Sequence, residues 1–387
     1  MQVTTKRIAA AGLVLMLPPA ADLLAYDMND RLTVSGIVAA AGQCQQGSAR
    51  LATGQFDTGG QPLYTDFDDT CRGALPIQLE ASLRPTEQDE LFVKLGWAWD
   101  NGLNPVSPFR LTPWAAALQD NVHDINGRGR NYLLTAWYKH AFSLGNDDSI
   151  AVSLGIIDST DYLDGNAYAN DEYTQFMNEA FVNASNYLLP SYDTGAAAEA
   201  HFGAFSVTAV GMNVGENDAG ENYDFWGLQA GWHPEPAIGA GNYRVLVAGT
   251  SAAFPDPSDR KLERRLAYGL SFDQAIGDHL GAFLRLTWQT EDAAVDYATL
   301  YSGGLQVLGS AWGRDADTVG VGVAYLDGGN TDVRNSQVLE TYYRAQFGDL
   351  FALTADVQYM HDDLVQTAAH ERDPDGWIFG LRATVEF

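Results

Sequence analysis

The stretch GWIFGLRATVEF, residues 376–387, alternates between two kinds of side chain up to its last residue. In a β-strand successive side chains point to opposite faces, so this pattern predicts a strand with one apolar and one mostly polar face. The apolar face carries Trp377, Phe379, Leu381, Ala383, Val385 and Phe387. A tilted strand of this length, rising about 3.3 Å per residue, is long enough to cross the apolar layer of a membrane.

The same unit recurs along the chain as about ten alternating residues followed by a turn or loop. In one of these segments Phe351, Leu353 and Ala355 share a face, while Thr354 and Asp356 share the other. Sixteen such segments are predicted: 31–42, 73–84, 90–101, 130–144, 148–158, 195–203, 205–215, 223–233, 242–253, 262–273, 279–291, 301–313, 317–326, 338–347, 351–361 and 375–387.

The connections between these segments alternate between long and short. The long ones are 43–72, 102–129 and 159–194, followed by several of moderate length, and the short ones include 145–148 and 348–350. An even number of antiparallel strands with short turns on one rim and long loops on the other is typical of outer-membrane barrels. The sequence therefore predicts an all-β, 16-stranded antiparallel transmembrane up-and-down barrel with short periplasmic turns and long extracellular loops. A soluble double sheet or a propeller would explain the alternation but not the asymmetry of the loops.

The N-terminus has the features of an export signal. Lys6 and Arg7 precede an apolar run from Ile8 to Leu17, and Pro18 follows it. The run is too short for a membrane-spanning helix. We expect cleavage after Ala25, so that residues 1–25 are a signal peptide and residues 26–387 form a single barrel domain.

Composition limits the partners. The chain has a formal net charge of -28, with 22 Lys+Arg against 50 Asp+Glu, which argues against nucleic acid as a ligand. The two cysteines, Cys44 and Cys71, favour a disulfide in an exported chain, and it would close one polar, Gly-rich loop. No catalytic motif such as G-x-S-x-G or H-E-x-x-H is present, so no enzymatic activity is expected.

Three stretches resemble the carbohydrate-selective porins of the OprB family: residues 155–183, residues 340–360 and the terminal strand that ends at Phe387. The chain departs from the family at residues 361–366, where HDDLVQ replaces an Asn-Pro-Gly segment. The resemblance implies a passive outer-membrane channel for mono- or oligosaccharides, without a cofactor. It also implies contact with membrane lipid and lipopolysaccharide, and recognition of Phe387 by the barrel-assembly machinery. The barrel would be a monomer or a homotrimer.

Sixteen strands enclose a lumen too wide for side chains to fill, so loops and inward-facing residues must select the solute. Residues 111–121 and 170–183 are helix-like loop segments, and we expect at least one of them to fold inward and narrow the channel. The alternative is that they cap the outer mouth or pack on another loop. Sugars need polar groups at fixed positions and an aromatic face. The candidate pore-lining residues are Arg344, Glu340, Arg382, Asp356, Gln358, Arg285 and Lys94, with Trp114 as a stacking platform. Polar residues also line any wide barrel for structural reasons.

Two further interpretations stay open at this stage. Asp158, Asp161 and Asp164 are weak candidates for a calcium site, but their spacing is not that of an EF-hand loop, and turn formation is the simpler explanation. The alternative function is a general or ion-selective porin of the same architecture, and a barrel enzyme or adhesin is a third possibility.

Overall fold

The computed structural model describes residues 26–29, 31–146, 148–365 and 370–387. The predicted signal peptide, residues 1–25, lies outside this part of the chain. Sixteen long strands, each antiparallel to the next, form the body of the molecule. They are β1 Leu32–Phe56, β2 Thr70–Leu83, β3 Asp89–Trp99, β4 Leu133–Gly145, β5 Asp148–Ile157, β6 Asp193–Phe202, β7 Phe205–Glu216, β8 Asn222–Trp232, β9 Gly241–Thr250, β10 Leu266–Ile276, β11 Leu280–Gln289, β12 Tyr297–Leu308, β13 Thr318–Gly328, β14 Val333–Phe347, β15 Phe351–Leu364 and β16 His370–Glu386.

The sheet closes on itself because β1 pairs with β2 on one side and with β16 on the other. At the closing seam Gly36 and Phe387 exchange both backbone hydrogen bonds, at 2.9 and 3.1 Å between N and O. Pairing therefore continues to the final residue, and the sheet has no free edge. This closure confirms the 16-stranded barrel that the sequence predicts.

The two faces of each strand have different environments, as the alternation predicts. On β16 the side chains of Phe379 and Leu381 are 45% and 54% exposed on the outer wall. Ile378 and Arg382, one residue away from these, are fully buried inside the barrel. The outer face carries the exposed apolar side chains, and the inner face packs against protein that fills part of the lumen.

The first loop is shorter than expected. β1 continues to Phe56, and a short strand, Pro62–Asp66, pairs back onto it. About 9–11 residues suffice to cross a membrane, so the distal half of β1 extends beyond the apolar layer and needs no apolar face. The hydrophobic alternation used to find strands is therefore missing there. Cys44 and Cys71 lie directly opposite each other on β1 and β2 and form a disulfide across the strands.

The two longest connections, residues 100–132 and 158–192, turn back into the barrel. Their helices are single turns, α1 Gln119–His123 and α2 Glu179–Val182, and the rest of the predicted helical segments is irregular. The described residues also include the 3-10 turns Ser159–Asp161 and Gly309–Trp312, and the two-residue strands Phe254–Pro255 and Leu262–Glu263. Within the described part of the chain, no helix is both long and apolar enough to span a membrane.

Candidate functional site

The two inward-folded connections, residues 100–132 and 158–192, pack together as one unit, which we call the inner plug. Ala115 N donates to Met177 O at 2.9 Å, and Trp114 Nε1 donates to Glu172 O at 2.9 Å. Glu179 accepts hydrogen bonds from the amide and the hydroxyl of Thr112 at 3.0 and 3.1 Å. Trp114 is 1% exposed, so its ring is packed inside the plug and offers no face to a solute.

Arg285 of β11 anchors the plug to the wall. Its Nε lies 3.0 Å from Asp164 Oδ1, and its other nitrogens donate to the carbonyl oxygens of Phe181 at 3.1 Å and Ala169 at 3.0 Å. Both charged side chains are almost completely buried. The planar guanidinium satisfies several loop carbonyls at once, which an ammonium group could not do with the same geometry.

Glu340 and Arg382 hold the plug from strands β14 and β16. The Glu340 carboxylate accepts from the backbone amides of Met177 at 2.5 Å and Asn178 at 3.0 Å. Arg382 donates to the carbonyl oxygens of Glu172 at 2.7 Å and Gln175 at 2.8 Å. The carboxylate of Glu340 accepts from backbone amides of the plug, and the guanidinium of Arg382 donates to backbone carbonyls. Without these two side chains, those backbone groups would be buried without a hydrogen-bond partner.

The neighbouring pair Asp356 and Gln358 extends this contact. Gln358 Nε2 donates to Pro113 O and to Asp356 Oδ1, both at 3.0 Å, and its Oε1 accepts from Asn178 Nδ2 at 3.0 Å. Arg344 lies close to the short turn that follows β14, and it pairs with Glu386 at 2.5 Å. Of the predicted cluster, Glu340 and Arg382 therefore bind the plug, Asp356 is bonded to Gln358, and Arg344 is engaged instead with Glu386.

The open part of the lumen lies beside the plug. It is a cavity of about 650 Å³ between the wall of β1–β3 and the two loops. This volume is in the range of roughly 300–1,000 Å³ that holds small molecules. Of the eight predicted pore-lining residues, Lys94 alone borders it. The polar residues around it include Ser35, Gln78, Glu80, Lys94, Asn121, Asp124, Asp158, Asp161, Asp171, Glu172 and Tyr192.

Lys94 of β3 is the basic residue of the cavity lining. It lies directly opposite Glu80 of β2 in the sheet, and its Nζ is 3.0 Å from Glu80 Oε1. Both side chains are partly exposed, so the pair presents one ammonium and one carboxylate to the cavity within a short distance. Such a pair can donate to and accept from the hydroxyls of a sugar.

Several carboxylates on the plug face the same space. The side chain of Asp161 is exposed to the cavity. The surrounding protein partly desolvates its carboxyl and raises its pKa to about 6, although the nearby positive charge of Lys94 acts in the opposite direction. Burial and the adjacent Asp171 raise the pKa of Glu172 to about 8. Asp158 accepts hydrogen bonds from Thr160, and burial raises its pKa above the usual value.

The three calcium candidates are not assembled as a ligand set. Asp164 binds Arg285, Asp158 binds hydroxyl groups, and Asp161 faces the cavity. Within the described ranges, no group of three or more His, Cys, Asp or Glu side chains is arranged to hold a metal ion. Their assignment to calcium therefore gains no support, and turn formation together with anchoring of the plug accounts for Asp158 and Asp164.

Comparisons with known proteins give the family. A model of the carbohydrate-selective porins, OprB family, matches residues 115–387. The chain belongs to the OprB family of carbohydrate-selective porins. An OprB structure from Pseudomonas putida at high pH superposes with a TM-score of 0.70 over 92% of this chain and 94% of that one, at 14% sequence identity. The channel DcaP of Acinetobacter baumannii gives a TM-score of 0.53 at 10% identity, over 94% of this chain and 99% of that one.

Two curated relatives have higher sequence identity. An uncharacterized protein of Aquifex aeolicus is 28% identical over 301 residues, which are 77% of this chain and 84% of that protein. Porin AaxA of Chlamydia pneumoniae is 25% identical over 289 residues, covering 70% of this chain and 62% of that porin. As a member of the OprB family, the chain is an outer-membrane porin, and carbohydrates are the solutes of the family.

Sequence reasoning identified Lys94 in the cavity but missed its partner. Glu80 stands in the alternating segment 73–84, where Ile77, Leu79 and Ala81 face lipid, so the same alternation could have placed it inside. The acidic residues of the plug carry no comparable signal, because their positions depend on how two irregular loops fold back.

Proposed function

We propose that small sugars diffuse down their concentration gradients through the cavity between the inner plug and the wall of β1–β3. The observation that carries this proposal is the combination of a plug bound to the far wall and an open, polar cavity on the near side. Conduction needs a contact that is weak enough for release. The partly exposed Lys94–Glu80 pair supplies such a contact for hydroxyl groups.

We assign different roles to the two groups of inward-facing residues. Arg285, Glu340, Arg382 and Gln358 position the plug, and Lys94, Glu80 and Asp161 contact the solute. This division explains why a sugar channel carries buried charges on β11, β14 and β16, since Arg285, Glu340 and Arg382 compensate backbone groups of the plug. Oppositely charged groups at the Lys94–Glu80 contact suit a neutral, hydroxyl-rich molecule.

We further propose that residues 1–25 direct export and that the barrel-assembly machinery recognises the terminal strand. In this proposal the mature porin faces membrane lipid and lipopolysaccharide with its outer wall. The aromatic side chains of Trp377 and Phe379 are 44% and 45% exposed there, which fits contact with the membrane.

The decisive experiment is sugar entry into liposomes that contain the purified porin. Glucose and a small disaccharide should enter faster than zwitterionic amino acids of similar size, and glucose should reduce the current through single channels. Lys94→Met removes the ammonium donor, keeps an unbranched side chain that ends where the lysine Cε does, and should weaken this block. Equal entry of glucose and an amino acid of similar size would contradict selectivity for carbohydrates and favour a general porin.

A further inference from the structure

The charges that line the cavity are strongly unequal in sign. Seven carboxylates border it, and Lys94 is the basic residue among the lining side chains. They belong to Glu80, Asp124, Asp158, Asp161, Asp171, Glu172 and Glu386. The lumen-facing wall elsewhere carries both signs, with arginines such as Arg285 and Arg382 and carboxylates such as Glu340.

The arginines are withdrawn from the cavity by the way the plug is anchored. Arg285 and Arg382 are fully buried and donate to loop carbonyl oxygens, and Arg285 is also paired with the buried Asp164. Arg344 is 7% exposed and pairs with Glu386. Folding of the plug thus buries these arginines together with carboxylates such as Asp164 and Glu340, and the groups left facing the open space are mostly acidic.

Pairing removes only two of the seven carboxylates. Glu80 is neutralised by Lys94 and Glu386 by Arg344. The other five lie outside the ion pairs that the described residues form, and Asp158, Asp161 and Glu172 lie close enough to Lys94 to act on its electrostatics. Because the pKa of Glu172 is raised to about 8, this carboxyl is largely neutral at pH 7, whereas Asp161, with a pKa of about 6, is mostly charged. Low-dielectric walls concentrate such a field within a narrow cavity.

We propose that this channel prefers positively charged solutes, and that protonated amino sugars pass faster than neutral sugars of the same size. Sugar acids pass more slowly than either. The inference rests on the proposed function, because it assumes that solutes cross through this cavity. The preference for positive charge arises from the electrostatic field along the cavity and requires no fixed binding site. The polar groups of the wall form hydrogen bonds with the hydroxyl groups of the sugar, and the carboxylates of the plug attract the ammonium group of the amino sugar.

The test compares entry of glucose, protonated glucosamine and glucuronate into proteoliposomes, in moderate salt that lets other ions balance the charge. We expect glucosamine to enter roughly five times faster than glucuronate, with glucose between them. The reversal potential in a potassium chloride gradient should show preference for potassium. Asp161→Asn should reduce both effects, whereas Asp349→Asn, which removes a carboxylate from the exposed turn between β14 and β15, should leave them unchanged.

The outcomes separate the two proposals. If glucose does not enter, the proposed function fails. If glucose enters but glucosamine is no faster than glucuronate, or if chloride is preferred over potassium, the charge preference fails while the sugar channel stands. If Asp349→Asn lowers the preference as much as Asp161→Asn does, the field does not come from the cavity, and the inference is overturned.

Discussion

Arg285 and Asp164 form an ion pair at 3.0 Å in which both side chains are almost fully buried, and the pair joins the wall of the barrel to the inner plug. The separation of these residues along the sequence is large, so the contact exists only because residues 158–192 fold back into the lumen. The position of the plug, and with it the shape of the cavity, depends on this pair.

Loss of the Arg285 guanidinium should loosen the plug. Arg285→Ala leaves Asp164 buried without its partner, which costs about 3–5 kcal/mol for a buried pair. We expect larger and more variable single-channel currents, and faster entry of trisaccharides. The double variant with Asp164→Ala removes both charges and should recover part of the wild-type behaviour. A double variant that is more disturbed than Arg285→Ala alone would contradict this role for the pair.

A charge on the lipid-facing wall should prevent insertion. Leu381 is 54% exposed on the outer face of β16, and an arginine at mid-depth of the membrane costs about 2–4 kcal/mol. Leu381→Arg should therefore give little heat-modifiable barrel on gels. Leu350→Arg, at an exposed position in the short turn after β14, is the matched control and should assemble normally. Normal assembly of both variants would show that the assigned facing is wrong.

The disulfide between β1 and β2 should stabilise the folded barrel. Cys44 and Cys71 are 27 residues apart in sequence, and a cross-link that closes a loop of this length contributes about 3.5 kcal/mol at most by restricting the unfolded chain. Replacing both cysteines with serine should lower the temperature at which the folded band disappears from gels. Reducing agent should lower it for the wild type and leave the variant unchanged. A variant that still responds to reducing agent would exclude the disulfide as the cause.

Selectivity for cations should increase with pH. The pKa of Asp161 is raised to about 6 and that of Glu172 to about 8, so both carboxyls lose protons as the pH rises through these values. The negative charge of the cavity therefore grows in two steps between pH 5 and pH 9. The ratio of potassium to chloride permeability should follow these steps, and Asp161→Asn should remove the lower one. A ratio that is constant over this range would contradict the assignment of these groups to the conduction path.

The strands could be predicted from the sequence because each must present one face to lipid, and this requirement produces alternation. The strand prediction failed at residues 43–72. There β1 extends beyond the apolar layer, so neither of its faces has to be apolar. The roles of inward-facing residues were harder to predict. Arg285 and Lys94 have the same kind of position on an alternating strand, and only the folded loops decide that one binds backbone carbonyls while the other borders the cavity.

In the proposed path, sugars cross the barrel beside the plug, past Asp161. Both native cysteines are in the disulfide, so Asp161→Cys introduces a single free thiol at this point. Modification of that thiol with a bulky methanethiosulfonate should strongly reduce both the current and glucose entry, and bound glucose should slow the modification. The same reagent on Asp349→Cys should change neither. Glucose entry at the unmodified rate after complete labelling of Asp161→Cys would contradict the proposed path.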